Sequence, residues 1–180
     1  MNKRADEWVG VGLINPKSPS NVGAVMRAAG CYGVDAVHYT GERYGRAARF
    51  HTDTKAAARR IPLTAVVSPL DALPADTALV CVELVEGATA LPQYQHPGRA
   101  LYLFGPEDGT IPQRLIDQAD AVVYVPTRGC MNLAATVNVV LYDRLAKRGK
   151  TPADDGLILN SRDTNNRVRV KPRARAAEEG

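Results

Sequence analysis

Polar and charged side chains that could do chemistry fall into three short segments. Asn21 and Arg27 share the first, Glu107 follows a Gly-Pro pair in the second, and Asn132 lies just after Cys130 in the third. A guanidinium has a pKa above about 12, so Arg27 suits electrostatic polarisation or phosphate binding better than simple proton abstraction. Each residue also has an explanation without chemistry: a surface or ion-paired arginine, a solvated turn carboxylate, and asparagines that cap helices.

The elements that must position these segments are predicted from apolar runs. Near-continuous runs without polar alternation indicate strands covered on both faces, as in a parallel sheet. The predicted strands are Val9 to Ile14, Ala36 to Tyr39, Leu63 to Val67, Ala78 to Val82, Ala100 to Phe104 and Ala121 to Val125. The predicted helices are Ala24 to Cys31, Thr54 to Arg60, Ile111 to Ala119 and Leu133 to Lys147, with an Arg-rich loop from Gly41 to Asp53. This alternation predicts an α/β three-layer sandwich around a parallel sheet.

Three polar or Gly-rich loops follow the C-terminal strands, at 83–87, 105–109 and 126–130. Ligands of open α/β sheets bind beyond the carboxyl ends of the strands, so these loops predict a binding site. The sequence contains neither GxGxxG nor GxxxxGK[ST]. The common dinucleotide and P-loop classes are therefore not indicated.

Composition and charge place further bounds on the function. The formal charge is +4, and residues 161–180 hold six basic residues against three acids, which is compatible with a nucleic-acid partner. Three widely spaced cysteines and scattered histidines argue against a disulfide framework and a metal site. Without a leader-like or membrane-length apolar run, we expect a cytoplasmic protein and no membrane partner. We expect one domain over residues 1–150 and a basic, flexible, irregular tail over 151–180.

Three sequence patterns occur in a fixed order along residues 9–148. Residues 21–27 have the sequence NVGAVMR, residues 103–109 have LFGPEDG, and residues 125–133 have VPTRGCMNL ahead of a helix with Leu141 and Tyr142. The first fits N-x-G-x-x-x-R, the second resembles F-G-x-E-x-x-G with its last glycine one position earlier, and the third resembles I-P…S-[LM]-N-[LV]…[LV]-Y-E. Together they resemble the SPOUT methyltransferases of the TrmH/TrmL (SpoU) branch.

The resemblance implies a deep trefoil knot in the C-terminal part, which periodicity cannot reveal. It further implies that S-adenosyl-L-methionine binds in the knot, mainly to backbone groups of three loops, and that a homodimer completes each site. The positions that would contact the cofactor are Glu83, Gly87, Gly105, Val125, Cys130, Met131 and Leu133. Cys130 departs from the family's usual serine, and a thiol is the weaker hydrogen-bond donor.

Catalytic roles follow from the same resemblance. Arg27 would help to deprotonate a ribose 2′-hydroxyl, with Asn21, Glu107 and Asn132 at the same site. The basic group that would contact RNA phosphates comprises Arg43, Arg46, Lys55, Arg59 and Arg60. A solvated surface would explain these basic residues equally well.

The favoured function is S-adenosylmethionine-dependent 2′-O-methylation of tRNA. This preference rests on the residue 130–133 segment and on the lack of a separate RNA-binding domain before Val9, both of which resemble the small TrmL type. The alternatives are an rRNA 2′-O-methyltransferase, a non-catalytic RNA-binding protein that kept the fold, and a small-molecule α/β enzyme. Base methylation, which other SPOUT branches perform, ranks below ribose methylation.

Overall fold

The computed structural model describes residues 7–48, 61–149 and 154–170. The chain divides into two compact units, Met1–Lys150 and Thr151–Gly180. Within the described residues no helix is long and apolar enough to cross a membrane.

The first unit is built on a seven-stranded sheet in which every pairing is parallel. The strands are β1 (Trp8–Leu13), β2 (Ala36–Tyr39), β3 (Leu63–Ala65), β4 (Ala78–Val82), β5 (Thr89–Ala90), β6 (Arg99–Phe104) and β7 (Ala121–Tyr124). Their order is β3-β2-β1-β6-β4-β7-β5. The predicted parallel sheet is confirmed, and the two-residue β5 was not predicted.

Strand β6 lies between β1 and β4 and forms the centre of the core. Tyr102 is opposite Val11 on one neighbour and Val80 on the other. Leu101 and Leu103 face one side of the sheet and Tyr102 the other, and all three are fully buried. Burying each leucine contributes about 1.5–3 kcal/mol, which explains why this run is apolar at every position.

Helices cover both faces of the sheet. The helices of this unit are α1 (Pro19–Tyr32), α2 (Arg43–Ala48), α3 (Gln113–Ile116) and α4 (Leu133–Arg148). Helices α1 and α4 pack together and bury Val25 and Val137 against the face that holds Tyr102. Leu115 of α3 packs on the opposite face with Leu101 and Leu103. These contacts form the three layers that the sequence predicts.

Helix α4 is fixed at its C-terminal half by a buried polar cluster. The His96 side chain, fully buried, is 2.6 Å from the Tyr102 hydroxyl and 2.8 Å from an Asp143 carboxylate oxygen. Arg144 donates to the Gly98 carbonyl at 2.7 Å, and Lys147 is 2.7 Å from Asp143. This cluster ties α4 to the segment that leads into β6.

Two predicted segments differ from the structure. The Arg-rich loop contains α2, because Tyr44 is buried against Tyr39 with ring centroids 4.9 Å apart and Arg46 pairs with Glu42 one turn away. The helix predicted from Ile111 to Ala119 is only Gln113–Ile116, since Pro112 precedes it and Asp117 ends it. The helix predicted over Thr54 to Arg60 lies outside the described residues.

The second unit also differs from the sequence prediction, which expected an irregular tail. It contains α5 (Asp155–Ser161), whose N-cap Asp154 accepts a hydrogen bond from the Leu157 amide at 2.9 Å. Every residue of α5 is exposed, including three consecutive apolar ones. The cap and this apolar run support one short helix within an otherwise polar segment.

Candidate active site

A cleft of about 180 Å³ lies at the carboxyl ends of β4, β6 and β7. Glu83 follows β4, Gly105 follows β6, and Val125 follows β7, and all three line the cleft. Cys130, Met131 and Leu133 close it from the start of α4. The structure therefore brings together six of the seven positions predicted to hold the cofactor. Gly87 is not among the lining residues and lies in the turn after β4 with φ +83°.

Glu107 is the hub of a hydrogen-bond network at this cleft. Its carboxylate accepts from the backbone amides of Lys17 at 2.8 Å and Ser18 at 3.1 Å, and from the Asn21 side-chain amide at 3.0 Å. The Asn132 side-chain amide in turn donates to the side-chain oxygen of Asn21, Oδ1, at 3.0 Å. These hydrogen bonds join Asn21, Glu107 and Asn132, which lie far apart in the sequence, in one hydrogen-bonded chain that we call the relay.

The protonation state of Glu107 follows from these donors. Partial burial alone would raise the pKa of this carboxyl, but the hydrogen bonds from Asn21 and the Lys17 and Ser18 amides together lower the pKa below its ordinary value. Glu107 is therefore ionised at neutral pH and acts as an acceptor. It orders the start of α1 and both asparagine side chains, and it is not poised as a general acid.

The two asparagines differ in their local role. Ser18, not Asn21, is the N-cap of α1, so the interpretation of Asn21 as a helix cap is wrong. Asn132 does cap α4, accepting from the Ala134 amide at 2.9 Å and the Ala135 amide at 3.3 Å. Because its Oδ1 is used in the cap, its Nδ2 is left to reach Asn21.

Gly105 allows the loops after β4 and β6 to approach each other. A Cβ at this position would lie 2.9 Å from a Glu83 carboxylate oxygen and 3.3 Å from the Ile111 amide nitrogen. That oxygen accepts a hydrogen bond from the Ile111 amide at 3.0 Å. A side chain at Gly105 would therefore displace the contact that holds one wall of the cleft.

Arg27 is not part of this relay. It is exposed on α1 and is not among the residues that line the cleft, and within the described part of the chain it makes no hydrogen bond or ion pair. The structure thus joins Asn21, Glu107 and Asn132 but leaves the predicted catalytic arginine outside their cleft in this single chain.

A group of three charged side chains lies beside the relay. Only one of them, Arg43, was predicted from the sequence to be functional. Arg43 Nη1 is 2.8 Å from an Asp108 carboxylate oxygen, and Lys17 Nζ is 3.7 Å from the other. The hydrogen bond and charge of Arg43 lower the pKa of Asp108. Asp108 lies within the second motif and Lys17 shortly before the first, and only this nearness to Glu107 and Asn21 in the sequence hinted at a shared location.

The remaining predicted RNA contacts are less well placed. Arg46 is exposed and paired with Glu42, whereas Lys55, Arg59 and Arg60 lie outside the described residues. Across residues 7–48, 61–149 and 154–170, no group of three or more His, Cys, Asp or Glu side chains could hold a metal ion.

Known proteins resemble this chain in sequence and in fold. Residues 9–142 match the model of the SpoU rRNA Methylase family, which confirms the resemblance seen in the three motifs. No curated protein sequence is significantly similar to the chain.

Solved structures share the fold. The SpoU methyltransferase AviRb from Streptomyces viridochromogenes superposes with a TM-score of 0.66 at 22% identity, over 81% of this chain and 61% of AviRb. A structure described for 2-OH methylation of C/U34 on tRNA gives 0.63 at 22% identity, over 81% of this chain and 99% of that one. The A. aeolicus TrmH/SpoU tRNA modifying enzyme gives 0.66 at 17% identity, over 82% and 78%. The chain therefore spans less than two thirds of AviRb, which has also been solved with AdoMet.

Proposed function

Because the chain belongs to the SpoU rRNA Methylase family of RNA methyltransferases, we propose that it methylates a ribose 2′-hydroxyl of tRNA. The observation that carries the proposal is the relay of Asn21, Glu107 and Asn132 beside a cleft at the carboxyl ends of β4, β6 and β7. The relay supplies a carboxylate that hydrogen bonds hold in place, and the adjacent cleft is lined by several loops.

The cofactor of this family is S-adenosyl-L-methionine, and the cleft suits it. Gly105 lets Glu83 and the Ile111 amide come together at one wall of the cleft, and Val125, Met131 and Leu133 add apolar lining. Such a mixed apolar and backbone-lined concavity is typical of small-molecule sites. When bound, the cofactor supplies a methyl group made electrophilic by its sulfonium.

The chain's own residues then have to orient the RNA hydroxyl and ease its deprotonation. Glu107 stays ionised and holds the start of α1 against the loop after β6. Asn132 holds Asn21 and the first turn of α4 together. We assign these three residues to positioning and Arg27 to electrostatic activation of the hydroxyl.

Arg27 does not line the cleft of its own chain, so we propose that a second copy of the chain brings it to a site. On α1 the exposed residues around Arg27 are small, including Ala24, and on the adjacent α4 Ala135 and Tyr142 are exposed, the latter at 61%. Tyrosine and arginine are both enriched at protein interfaces. We therefore include a homodimer in the proposal, with each Arg27 completing the partner's site. The C-terminal trefoil knot belongs to the same proposal, since it would bring the three cleft loops together.

Charge favours RNA as the substrate, and one comparison favours tRNA. Arg43 and Lys17 lie on the rim beside Glu107, and a charge of +4 suits a polyanion of either kind. The neighbour concerned with C/U34 on tRNA is matched over 99% of its length, whereas AviRb is matched over 61%. We further propose that the protein acts in the cytoplasm.

An rRNA substrate is the second candidate, which the description of the matching family favours. Methyl-labelled S-adenosylmethionine with purified tRNA and rRNA in separate reactions distinguishes the two. Label in tRNA alone supports the proposal, and label in rRNA alone replaces its substrate. Calorimetry with S-adenosylmethionine tests the alternative of a non-catalytic RNA-binding protein. Binding of RNA without binding of S-adenosylmethionine would contradict the proposed activity.

A further inference from the structure

Three charged side chains, Lys17, Arg43 and Asp108, form a group that we call the rim cluster. It joins three elements: Lys17 precedes α1, Arg43 begins α2, and Asp108 lies in the loop after β6. Asp108 adjoins Glu107, which accepts from the Lys17 amide at 2.8 Å. The cluster therefore lies immediately next to the relay of the proposed active site.

The cations in the rim cluster exceed what its one carboxylate satisfies. Arg43 uses Nη1 toward Asp108, whereas its Nε and Nη2 are covered and have no hydrogen-bond partner among the described residues. Lys17 is 66% exposed, and its Nζ is 3.7 Å from Asp108. Since Nε and Nη2 are covered, Nη1 is the Arg43 donor that an anion replacing Asp108 would meet, with the exposed Lys17 ammonium as its second donor.

Glu107 makes no ion pair with either cation among the described residues, because its carboxylate accepts hydrogen bonds from the amides of Lys17, Ser18 and Asn21. Counted as two cations and one carboxylate, the rim cluster has a net charge of +1 at a partly exposed position, and the ionised Glu107 carboxylate lies next to it. An anion that approached from solvent would compete with Asp108 for both cations.

We propose that Lys17 and Arg43 bind one backbone phosphodiester of the RNA substrate and that Asp108 holds their place until the RNA displaces it. The inference rests on the proposed function, since it takes RNA as the substrate. A phosphodiester offers two anionic oxygens, which can replace the two Asp108 oxygens that now face Arg43 Nη1 and Lys17 Nζ. Asp108 is therefore an internal competitor that weakens RNA binding and orients both cations beforehand.

Binding of RNA to charge variants tests this proposal without requiring turnover. Fluorescently labelled tRNA and an rRNA fragment are titrated with full-length protein at several salt concentrations. Asp108→Asn removes the competing charge at constant size, so we expect about threefold or greater tightening. Arg43→Gln should weaken binding and reduce the slope of log affinity against log salt by roughly 0.7–0.9, the value for one phosphate contact.

The double variant and a matched control make the test specific. In Arg43→Gln/Asp108→Asn the gain from Asp108→Asn should disappear, because the released cation is gone. Asp117→Asn removes an equally negative exposed carboxylate just after α3, whose Oδ1 accepts only from Gln113 among the described residues. S-adenosylmethionine binding, expected to be unchanged in all variants, reports on the folded state.

Each failure has a distinct meaning. If Asp108→Asn leaves RNA affinity unchanged or lowers it, or if Asp117→Asn tightens binding equally, the rim-cluster proposal is wrong while the proposed function stands. If Arg43→Gln keeps the wild-type salt slope, the phosphodiester contact is excluded. If the wild-type protein binds neither RNA, both the rim-cluster proposal and the proposed function fail.

Discussion

The Asn21 side-chain amide donates to the Glu107 carboxylate at 3.0 Å across 86 residues of sequence. This contact joins the first turn of α1 to the loop after β6, and Asn132 extends it to α4. One hydrogen-bonded chain thus connects all three motifs, and its central carboxylate is ionised.

Replacing Glu107 should damage methyl transfer more than folding. In Glu107→Gln the amide group must point an NH₂ toward at least one of the donors that the carboxylate now satisfies. We expect methyl transfer to fall tenfold or more and stability to fall by about 1 kcal/mol, a low value because the site is largely exposed. Initial rates and chemical denaturation measure the two effects. Wild-type rates with saturating RNA would contradict a positioning role.

The lowered pKa of Glu107 predicts an acid-side loss of stability. A carboxyl whose folded pKa lies below its unfolded value stabilises the fold above the unfolded value of 4.5, and this contribution is lost as the pH falls through the folded pKa. Denaturant midpoints between pH 7 and pH 3 should therefore drop less steeply in Glu107→Gln than in the wild type. Parallel curves for the two proteins would show that Glu107 is not linked to folding.

Gly105→Ala should weaken the cofactor site. The added Cβ would lie 2.9 Å from a Glu83 carboxylate oxygen, so Glu83 must move and release the Ile111 amide. We expect S-adenosylmethionine affinity to fall by about tenfold, equivalent to roughly 1.4 kcal/mol. Gly45→Ala is the matched control, because a Cβ there meets no atom within 4 Å. Equal calorimetric affinities for both variants would place the cofactor elsewhere.

His96 predicts a second pH dependence, independent of the active site. Its burial lowers the pKa of the imidazole, although the Asp143 hydrogen bond opposes that shift. Since the unfolded chain then binds the proton more readily, stability should fall as the pH drops from about 6.5 through the lower folded pKa. His96→Ala should lower the free energy of unfolding by about 2 kcal/mol at pH 7. The loss should be no larger, because Tyr102 keeps its contact with Arg144 and Asp143 keeps its contact with Lys147. Melting curves at pH 5 and pH 7 test this, and an unchanged pH slope in the variant would exclude His96 as its source.

The sequence predicted the parts of the fold that depend on local patterns. The apolar run of β6 predicted its burial, and Asn132 before an apolar run predicted a helix cap. It did not predict α2, because the burial of Tyr44 in the core and against Tyr39 offsets a polar local sequence. The sequence also did not predict α5, because polar and charged residues surround its N-cap and its short apolar segment.

The candidate site divides in the same way. The motifs identified Asn21, Glu107 and Asn132, but their mutual contacts depend on the order of the strands, which no local pattern contains. The role of Asp108 was missed because its partners Lys17 and Arg43 lie 91 and 65 residues earlier in the sequence. Ion pairs of that separation become visible only when the sheet brings β1, β2 and β6 together.

A single assay tests the proposal that the protein methylates a ribose 2′-hydroxyl of tRNA and that Arg27 activates this hydroxyl. Purified wild-type protein and Arg27→Ala are incubated with total tRNA and methyl-labelled S-adenosylmethionine, and the RNA is digested for nucleoside mass spectrometry. The account predicts a labelled 2′-O-methylnucleoside with the wild type and a loss of at least 100-fold with Arg27→Ala, while both proteins bind the cofactor equally. A label on a base, or normal turnover by Arg27→Ala, would contradict it.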